Sequence, residues 1–472
     1  MDRTVPDRIA PRDVIDAGLC IGCGACVALA SASDAGMAWN SFGQLEPRGS
    51  DGWRHTRTAE LARTCPFSPH SADEDALAAE HFPDAPQRDA HIGRFRAAYV
   101  GHAAEGQLRA SGSSGGMVTW VAVELLRRGW VDAVVHVAPL DPAEPDRRLF
   151  GYRLSRSEQE VRRGSRSRYY PVELSEAVAS MRATPGRYAV IGIPCFIKAV
   201  RLLCREDEVL RERVAFTLGL FCGHMKSARM VESFAWQTGA DPGTVAAIDF
   251  RLKDARRPAN WYRAELTLDD GRRVAEDWWH FADGDWGAGF FQSSACNYCD
   301  DLVAETADIA FGDAWVEPYA SDGRGTNVVI VRSAQLDAIV RAGLEAGRLA
   351  LTEVDGDFVR RTQEAGFRQR REGLAYRLGW RRRGLAPRKR VRPGSDGITL
   401  RRRLVYRMRA SISRWSHRVF RLARALRLPS LYLLWARAAL AIYQALTYSR
   451  GRLGRFVDWV ENRFRDGRSG RQ

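Results

Sequence analysis

Lysine is almost missing from this chain of 472 residues: Lys198, Lys226, Lys253 and Lys389 are the whole set, and arginine supplies the other basic residues. A skew of that kind points to GC-rich coding more than to a binding function. Long apolar runs are missing too. The longest, Leu428 to Leu446, is broken by Arg437, so a helix spanning a bilayer is not expected. The opening stretch, MDRTVPDRIAPRDVIDAG, is charged and has no apolar h-region, so no secretory leader is expected. Neither a Ser/His/Asp set nor a carboxylate pair stands out as hydrolytic machinery.

What is present is ordinary globular composition, 45% hydrophobic and 27% charged, in a chain long enough for two or three domains. The net charge of +15 is unevenly placed. Residues 371–472 hold 27 basic and 5 acidic side chains, whereas residues 1–370 hold 45 and 52. The body is therefore mildly acidic, and basicity arguments about partners apply to the tail alone.

Nine cysteines in a long chain without a leader favour metal ligation over disulfides. Cys20, Cys23 and Cys26 form C-x2-C-x2-C in LCIGCGACVA. This spacing wraps a short loop around one face of a cubane, and Gly22 and Gly24 let the backbone turn its N–H groups towards the sulfides. Cys65, followed by Pro66, supplies a fourth thiolate with the C-P ending of ferredoxin-type sites, returning after the long segment Val27 to Thr64. A four-cysteine zinc site is the alternative, but zinc knuckles pair two hooks rather than using a triple repeat.

A second set is dispersed. Cys296 and Cys299 form a C-x2-C hook. Cys195 follows the apolar strand YAVIGIP at the start of the helix FIKAVRLL, where free N–H groups and the helix dipole suit a thiolate. Cys222 ends the strand-like run VAFTLGLFC, and strand C-terminal ends line the functional crevice of an open α/β sheet. Singly, Cys195 or Cys222 reads as an inert buried thiol; with the hook they make four ligands. Cys204 is read as core.

The strings LCIGCGACV, ASGSSGGMVTWVAVELL, IGIPCFIKAV, LFCGH, CNYCDD and ADIAFGDAW occur in this order between about Gly18 and Ser333. Together they resemble the coenzyme F420 hydrogenase/dehydrogenase β-subunit family, and are similar to the related 7-hydroxymethyl chlorophyll a reductase. The resemblance implies FAD beside a [4Fe-4S] cluster held by Cys195, Cys222, Cys296 and Cys299, and a second [4Fe-4S] cluster held by Cys20, Cys23, Cys26 and Cys65. It also implies electron exchange with coenzyme F420 or another small organic substrate. This chain departs from the family with Ile193-Pro194-Cys195-Phe196 in place of Thr-Pro-Cys-Gln, and with Gly164-Ser165-Arg166-Ser167 in place of Gly-Ser-Lys-Tyr.

The residues themselves suggest where such a flavin would lie. Segment 97–130 reads as a strand, a loop, then a helix from Met117. The loop Ser111-Gly112-Ser113-Ser114-Gly115-Gly116 meets the helix N-terminus, where small residues admit a pyrophosphate. It is neither a Walker A loop nor a Rossmann fingerprint, and a plain Ser/Gly helix cap explains it equally well. Gly164, Ser165 and Arg166 lie in a basic loop before a helix expected near Pro171. That loop is either a phosphate clamp or a solvated turn. Lys253 and Asp313 lie near strand ends at positions resembling the family's, and Gly325-Thr326-Asn327 precedes a buried strand. His102, His136 and His224 read more readily as loop or core histidines than as proton-transfer groups.

The expected fold class is α/β (α+β). It divides into a ferredoxin-like N-terminal cluster module (1–90), a mixed α/β flavin and iron–sulfur core (91–180 and 181–370) and a basic helical C-terminal tail (371–472). In the tail, Arg381-Arg382-Arg383 and Arg388-Lys389-Arg390 fall in a linker. A basic amphipathic helix begins near Leu400, with Met408, Ile412, Trp415, Val419, Leu422 and Leu426 as its apolar stripe, and a second helix runs from Tyr432 to Tyr448. Residues 400–465 suit peripheral contact with an anionic membrane from the cytoplasmic side, or packing against the body or a partner subunit. Nucleic acid ranks behind these. The expected activity is that of an iron–sulfur flavoprotein oxidoreductase served by a ferredoxin-like donor. The alternatives are a non-catalytic electron-transfer subunit of a partner enzyme and, more distantly, a zinc-binding basic regulator.

Overall fold

The computed structural model describes residues 7–30, 35–141, 148–380 and 384–469, the side chains of 462–469 excepted. Arg381-Arg382-Arg383 lies outside the described residues. The fold is mixed α/β, as expected. Its centre is an eight-stranded sheet in the order Leu349–Val354, Ala97–Ala103, Asn327–Val331, Ile309–Asp313, Val214–Leu220, Tyr188–Gly192, Ala133–Pro139 and Phe150–Ser155.

Four neighbouring strands of that sheet, from Ile309–Asp313 to Ala133–Pro139, run parallel. Tyr188–Gly192 and Asn327–Val331 are buried throughout, as their unbroken apolar runs require when helices cover both faces. The register sets Gly192 opposite Gly219 and Phe311 opposite Leu220. The C-terminal ends of these strands therefore lie along one edge. The antiparallel partners bring Gly101, Asn327 and Asp313 to the same edge, because Asn327 pairs with Gly101 on one side and with Asp313 on the other.

The N-terminal segment contributes short helices Pro11–Asp16 and Ala25–Leu29, a hairpin of Gly36–Trp39 with Leu45–Arg48, and the helix Ala59–Thr64 that delivers Cys65 as its C-cap. It does not form its own core. Ile9, Leu19, Ile21 and Ala25 belong to the same apolar cluster as Tyr152, Phe196, Val200 and Leu203 of the central sheet and its helix.

The tail packs against the body. Ile412, Phe420, Tyr432, Ala436 and Tyr443 enter that same cluster beside Phe290 and Phe291. Polar contacts fix the register: the Phe291 N–H donates to Ser416 Oγ at 2.9 Å, and the Tyr432 hydroxyl donates to Asp283 Oδ2 at 2.8 Å. The helices run Leu400–Ala425 and Pro429–Tyr448, close to expectation, but only part of the expected stripe faces inward, with Met408 and Val419 packed against the cluster. Ile412 is buried, whereas Trp415, Leu422 and Leu426 are 47%, 52% and 59% exposed. Ser413, Ser416 and His417 take the inner positions because their polar groups meet partners on the body. Among the described residues no helix is long and apolar enough to cross a membrane.

His417 reports on this docking. Its Nδ1 faces the Ser413 carbonyl at 2.7 Å, and burial pushes its pKa down to about 4. An imidazole that ionises near 6.5 when unfolded and near 4 when folded binds its proton more readily in the unfolded chain. Its contribution to stability is therefore complete above about pH 6.5 and is lost as pH falls towards 4. Thermal unfolding followed from pH 7 to 4 should show a steeper loss of stability in the wild type than in His417→Gln. The difference between the two should be on the order of 1–3 kcal/mol at the acid end.

Candidate functional site

Cys20, Cys23, Cys26 and Cys65 border a single cavity of about 30 Å³, together with Pro11, Val14, Leu61 and Phe67. That exceeds the roughly 10–15 Å³ that one water needs. The tight loop is possible because Gly22 and Gly24 take φ of +74° and +81°; a Cβ on Gly22 would meet the Leu45 carbonyl at 2.5 Å. Backbone N–H groups serve every sulfur: Gly22 donates to Cys20, Ala25 to Cys23, Val27 to Cys26, and Phe67 and Ser68 to Cys65. Burial nonetheless pushes the thiols up, Cys23 to about 12, and the neighbouring cysteines add to the shift.

The second quartet forms at the sheet edge. Cys195 sits on the first turn of the helix Pro194–Glu206, and Cys222 lies two residues beyond the strand Val214–Leu220. The hook at Cys296 and Cys299 comes from a 3-10 turn, Ser294–Tyr298. All four approach one another, since Cys299, Cys222 and Cys296 each raise the Cys195 thiol after burial has done so. The Met225 N–H donates to Cys296 Sγ at 3.3 Å. Cys204 is buried in the apolar core, as expected. Among the described residues no group of three or more His, Cys, Asp and Glu is arranged to hold a single metal ion.

Several groups around this quartet had no sequence signal. Arg370 is buried and donates to the Asp301 carbonyl at 3.0 Å, to the Gly223 carbonyl at 2.8 Å and to the Cys222 carbonyl. Its charge is felt by Cys299, Cys222 and Cys296. Arg377 donates to the Asn297 carbonyl, inside the hook, at 2.7 Å. Tyr152 lies within electrostatic reach of both Cys195 and Cys23 and so marks where the quartets approach each other. None of these contacts is local in sequence, so no spacing rule finds them.

The Ser/Gly loop lies at the same sheet edge. Ser111 ends a short helix, Leu108–Ser111, and Gly116 (φ +81°) caps the helix Met117–Arg127. Gly115 fits between Gly101 and Asn327, where a Cβ would meet the Gly101 carbonyl at 2.8 Å. Ser114 Oγ donates to the Thr326 carbonyl, and Ser113 Oγ accepts from the Ser167 N–H at 2.9 Å, joining the two expected loops. Gly164 has a packing reason of its own, since a Cβ there would meet the His136 ring at 2.3 Å. Ser165 donates back to the Arg162 carbonyl. The following helix begins at Ser175 rather than near Pro171, with Leu174 as its N-cap and the Ser175 N–H donating to Glu173 Oε2 at 2.5 Å.

The basic side chains form a cluster. Lys253 Nζ donates to the carbonyls of Arg109, Ser114 and Arg324 at 2.5, 2.8 and 2.8 Å, so it holds the Ser/Gly loop rather than projecting free. Burial and the adjacent Arg251, Arg109 and Arg166 guanidiniums pull its pKa down to about 8. Arg166 pairs with Asp249 at 2.8 Å, and Asp313 with Arg251 at 2.9 Å. Arg168 lies 4.8 Å over the Phe150 ring, and its Nε is buried without a partner. Aromatic rings connect this cluster to the second quartet. Tyr169 meets Trp286 at 4.7 Å, and Trp286 stacks on His224 at 4.3 Å; His224 is two residues from Cys222 and its Nε2 is buried without a partner. Of the other histidines, His136 bonds Ser155 at 2.8 Å and His102 meets Arg109. A separate open cleft of about 660 Å³, between the hairpin and the tail, borders Trp39, Tyr170, Trp236 and Arg424 and no cysteine.

Two stretches of the chain match the family described as coenzyme F420 hydrogenase/dehydrogenase, beta subunit: residues 98–179 match its N-terminal part, and residues 186–357 its C-terminal part. A curated relative, an uncharacterized protein of Methanocaldococcus jannaschii, is 23% identical over 229 residues, which cover 47% of this chain and 56% of the relative. The chain therefore spans little more than half the length of that relative. A chain from the F420-reducing [NiFe] hydrogenase complex of Methanosarcina barkeri aligns with a TM-score of 0.46 and 17% identity, covering 60% of this chain and 92% of that one.

The three carbonyls on Lys253 make it a loop clamp. Lys253→Met strands those acceptors and should cost about 1–3 kcal/mol of stability. Hydrogen exchange should show faster exchange at amides 109–116 than in the wild type, with the strand Val214–Leu220 unchanged.

Proposed function

Because the chain belongs to the coenzyme F420 hydrogenase/dehydrogenase β-subunit family, and is on that ground an electron-transfer oxidoreductase, we propose that it is an iron–sulfur flavoprotein. Two [4Fe-4S] clusters and FAD would link one-electron donors to an organic two-electron acceptor such as coenzyme F420. The observation that carries the reading is the convergence of Cys195, Cys222, Cys296 and Cys299 at the edge that also holds the Ser/Gly loop. Four buried thiols that raise one another's pKa carry more negative charge when ionised than the nearby cations offset, and bound iron supplies the balance.

Cys20, Cys23, Cys26 and Cys65 would hold the first cluster, and the second quartet the other. FAD phosphates would lie against loop 111–116, where helix Met117–Arg127 presents its N-terminus and the buried Arg168 Nε seeks an acceptor. When bound, the flavin supplies hydride exchange and the clusters supply one-electron transfer. The chain's own residues position them. Arg370 places a cation beside the second quartet, backbone N–H groups face the sulfurs of the first, and Tyr169, Trp286 and His224 form a row of touching rings that runs from the loop towards Cys222. A ferredoxin-like donor or a partner subunit would meet the first quartet, which lies nearer the surface hairpin.

Anaerobically prepared protein should be brown and carry about eight irons and one flavin per chain. Cys20→Ser and Cys195→Ser should each remove about four irons, and Cys204→Ser none. Colourless protein holding zinc would overturn the reading.

The outward face of the tail favours peripheral attachment to an anionic membrane. Leu422, Leu426 and Leu434 are 52%, 59% and 66% exposed beside Arg418, Arg421 and Arg427. In flotation with vesicles containing phosphatidylserine, the wild type should rise with the lipid and Leu426→Glu/Leu434→Glu should stay behind. Equal behaviour of the two would sink this reading.

A further inference from the structure

We propose that Lys389 is a charge shared by both cysteine quartets, set to raise the reduction potential of a cluster held at either one. The proposal rests on the reading of both quartets as iron–sulfur ligands and assigns a tuning residue to that arrangement.

Residue choice is the first sign. Arginine is this chain's ordinary cation, yet all four of its lysines are turned inward. Lys198 and Lys226 are 4% and 2% exposed, the Lys389 side chain is 4% exposed, and Lys253 is spent on three carbonyls. Lys389 stands between Arg388 and Arg390. An ammonium is a compact point charge, whereas a guanidinium is a planar fork.

Its position is specific. Lys389 Nζ donates to Asp300 Oδ1 at 3.0 Å and lies 5.0 Å from the centre of the Phe67 ring. Asp300 directly follows Cys299. Phe67 lies two residues beyond Cys65, borders the first cavity and gives its N–H to the Cys65 sulfur. One ammonium thus touches the segments that carry a ligand of each quartet, and its charge is felt by Cys65 and by Cys299. The neighbouring charges are balanced without it to spare. Lys198 pairs with Glu74 at 3.1 Å, and Arg390 bonds Glu305 at 2.7 Å and reaches Asp300 at 3.4 Å. Removing Lys389 leaves Asp300 with less than its full counter-charge, between the two quartets.

Reducing a four-iron cluster adds one negative charge. A cation held nearby, away from screening solvent, favours that reduced form. Lys389 therefore acts on both clusters in the same direction, which a cation placed beside only one quartet, such as Arg370, does not.

The test is a redox titration of the full-length, anaerobically loaded protein, followed by electron paramagnetic resonance of each reduced cluster. Lys389→Met should move both midpoint potentials negative at unchanged iron content. Lys389→Arg should leave both close to wild type. Asp300→Asn, which frees the ammonium from its counter-charge, should move both positive. Potentials that stay put in Lys389→Met, or that move at one cluster alone, overturn the proposal. If Lys389→Met does not take up iron, Asp300→Asn decides, and unmoved potentials there overturn it equally. A wild-type chain that binds no iron–sulfur cluster overturns the reading beneath the proposal, an outcome distinct from loaded clusters whose potentials ignore residue 389.

Discussion

Burying eight cysteine thiols in two groups of four disfavours their ionised forms, and the surrounding chain answers each group differently. The first quartet is mostly one short loop. Its glycines at φ +74° and +81° turn amides towards sulfur, so the backbone itself supplies dipoles to Cys20, Cys23 and Cys26. The second quartet is assembled from two strand ends and a distant hook. It receives the Met225 N–H at Cys296, and for the rest it draws on whole charges: Arg370 beside it and Lys389 at its margin. A local motif can solvate an anion with its own amides; a dispersed one has to import side chains.

The dispersed site is possible because of sheet topology. Parallel pairing of Tyr188–Gly192 with Val214–Leu220 puts Cys195 and Cys222 at neighbouring strand ends. The same edge receives Asp313, Asn327 and Gly101 through the antiparallel strands. Crevices of open α/β sheets form where strand ends face a change of connection. Here that edge gathers the Ser/Gly loop 111–116, a row of aromatic rings and four thiols. The shared apolar core then sets the first quartet against the second, with Cys23 and Cys195 both within reach of Tyr152.

What could be read in the sequence follows the range of the interactions. C-x2-C-x2-C, the strand before Cys195 and the helix from Leu400 are local patterns; the strand and the helix form where expected, and the triple repeat lines one cavity with Cys65. Glycine roles were legible only in part. Gly116 caps a helix as its setting implies, but Gly164 is small because His136 packs on it, a contact between segments that no periodicity records. The tail helix shows the same limit. Its stripe of Trp415, Leu422 and Leu426 has helical spacing, yet buried hydrogen bonds of Ser413 and Ser416 to residues 291 and 292 choose the inner face. Amphipathic period gives the width of an apolar face, while partner geometry decides which side turns inward.

The basic surplus of residues 371–472 therefore divides into two populations with different physics. Arg377, Lys389 and Arg390 point into the body, where they bond the Asn297 carbonyl, Asp300 and Glu305. These contacts lie beside the hook at Cys296 and Cys299, in surroundings where salt screens little. Arg418, Arg421 and Arg427 belong to the outer side of the helices, among exposed leucines, where attraction to an anionic surface falls off within a Debye length. Net charge alone merges the two and reads the whole segment as a surface arm. Separated, the inner cations belong to the surroundings of the cysteine quartets and the outer ones to whatever surface the protein meets. Replacing outer arginines should then leave cluster potentials alone, just as replacing Lys389 should leave the outer face of the helices unchanged.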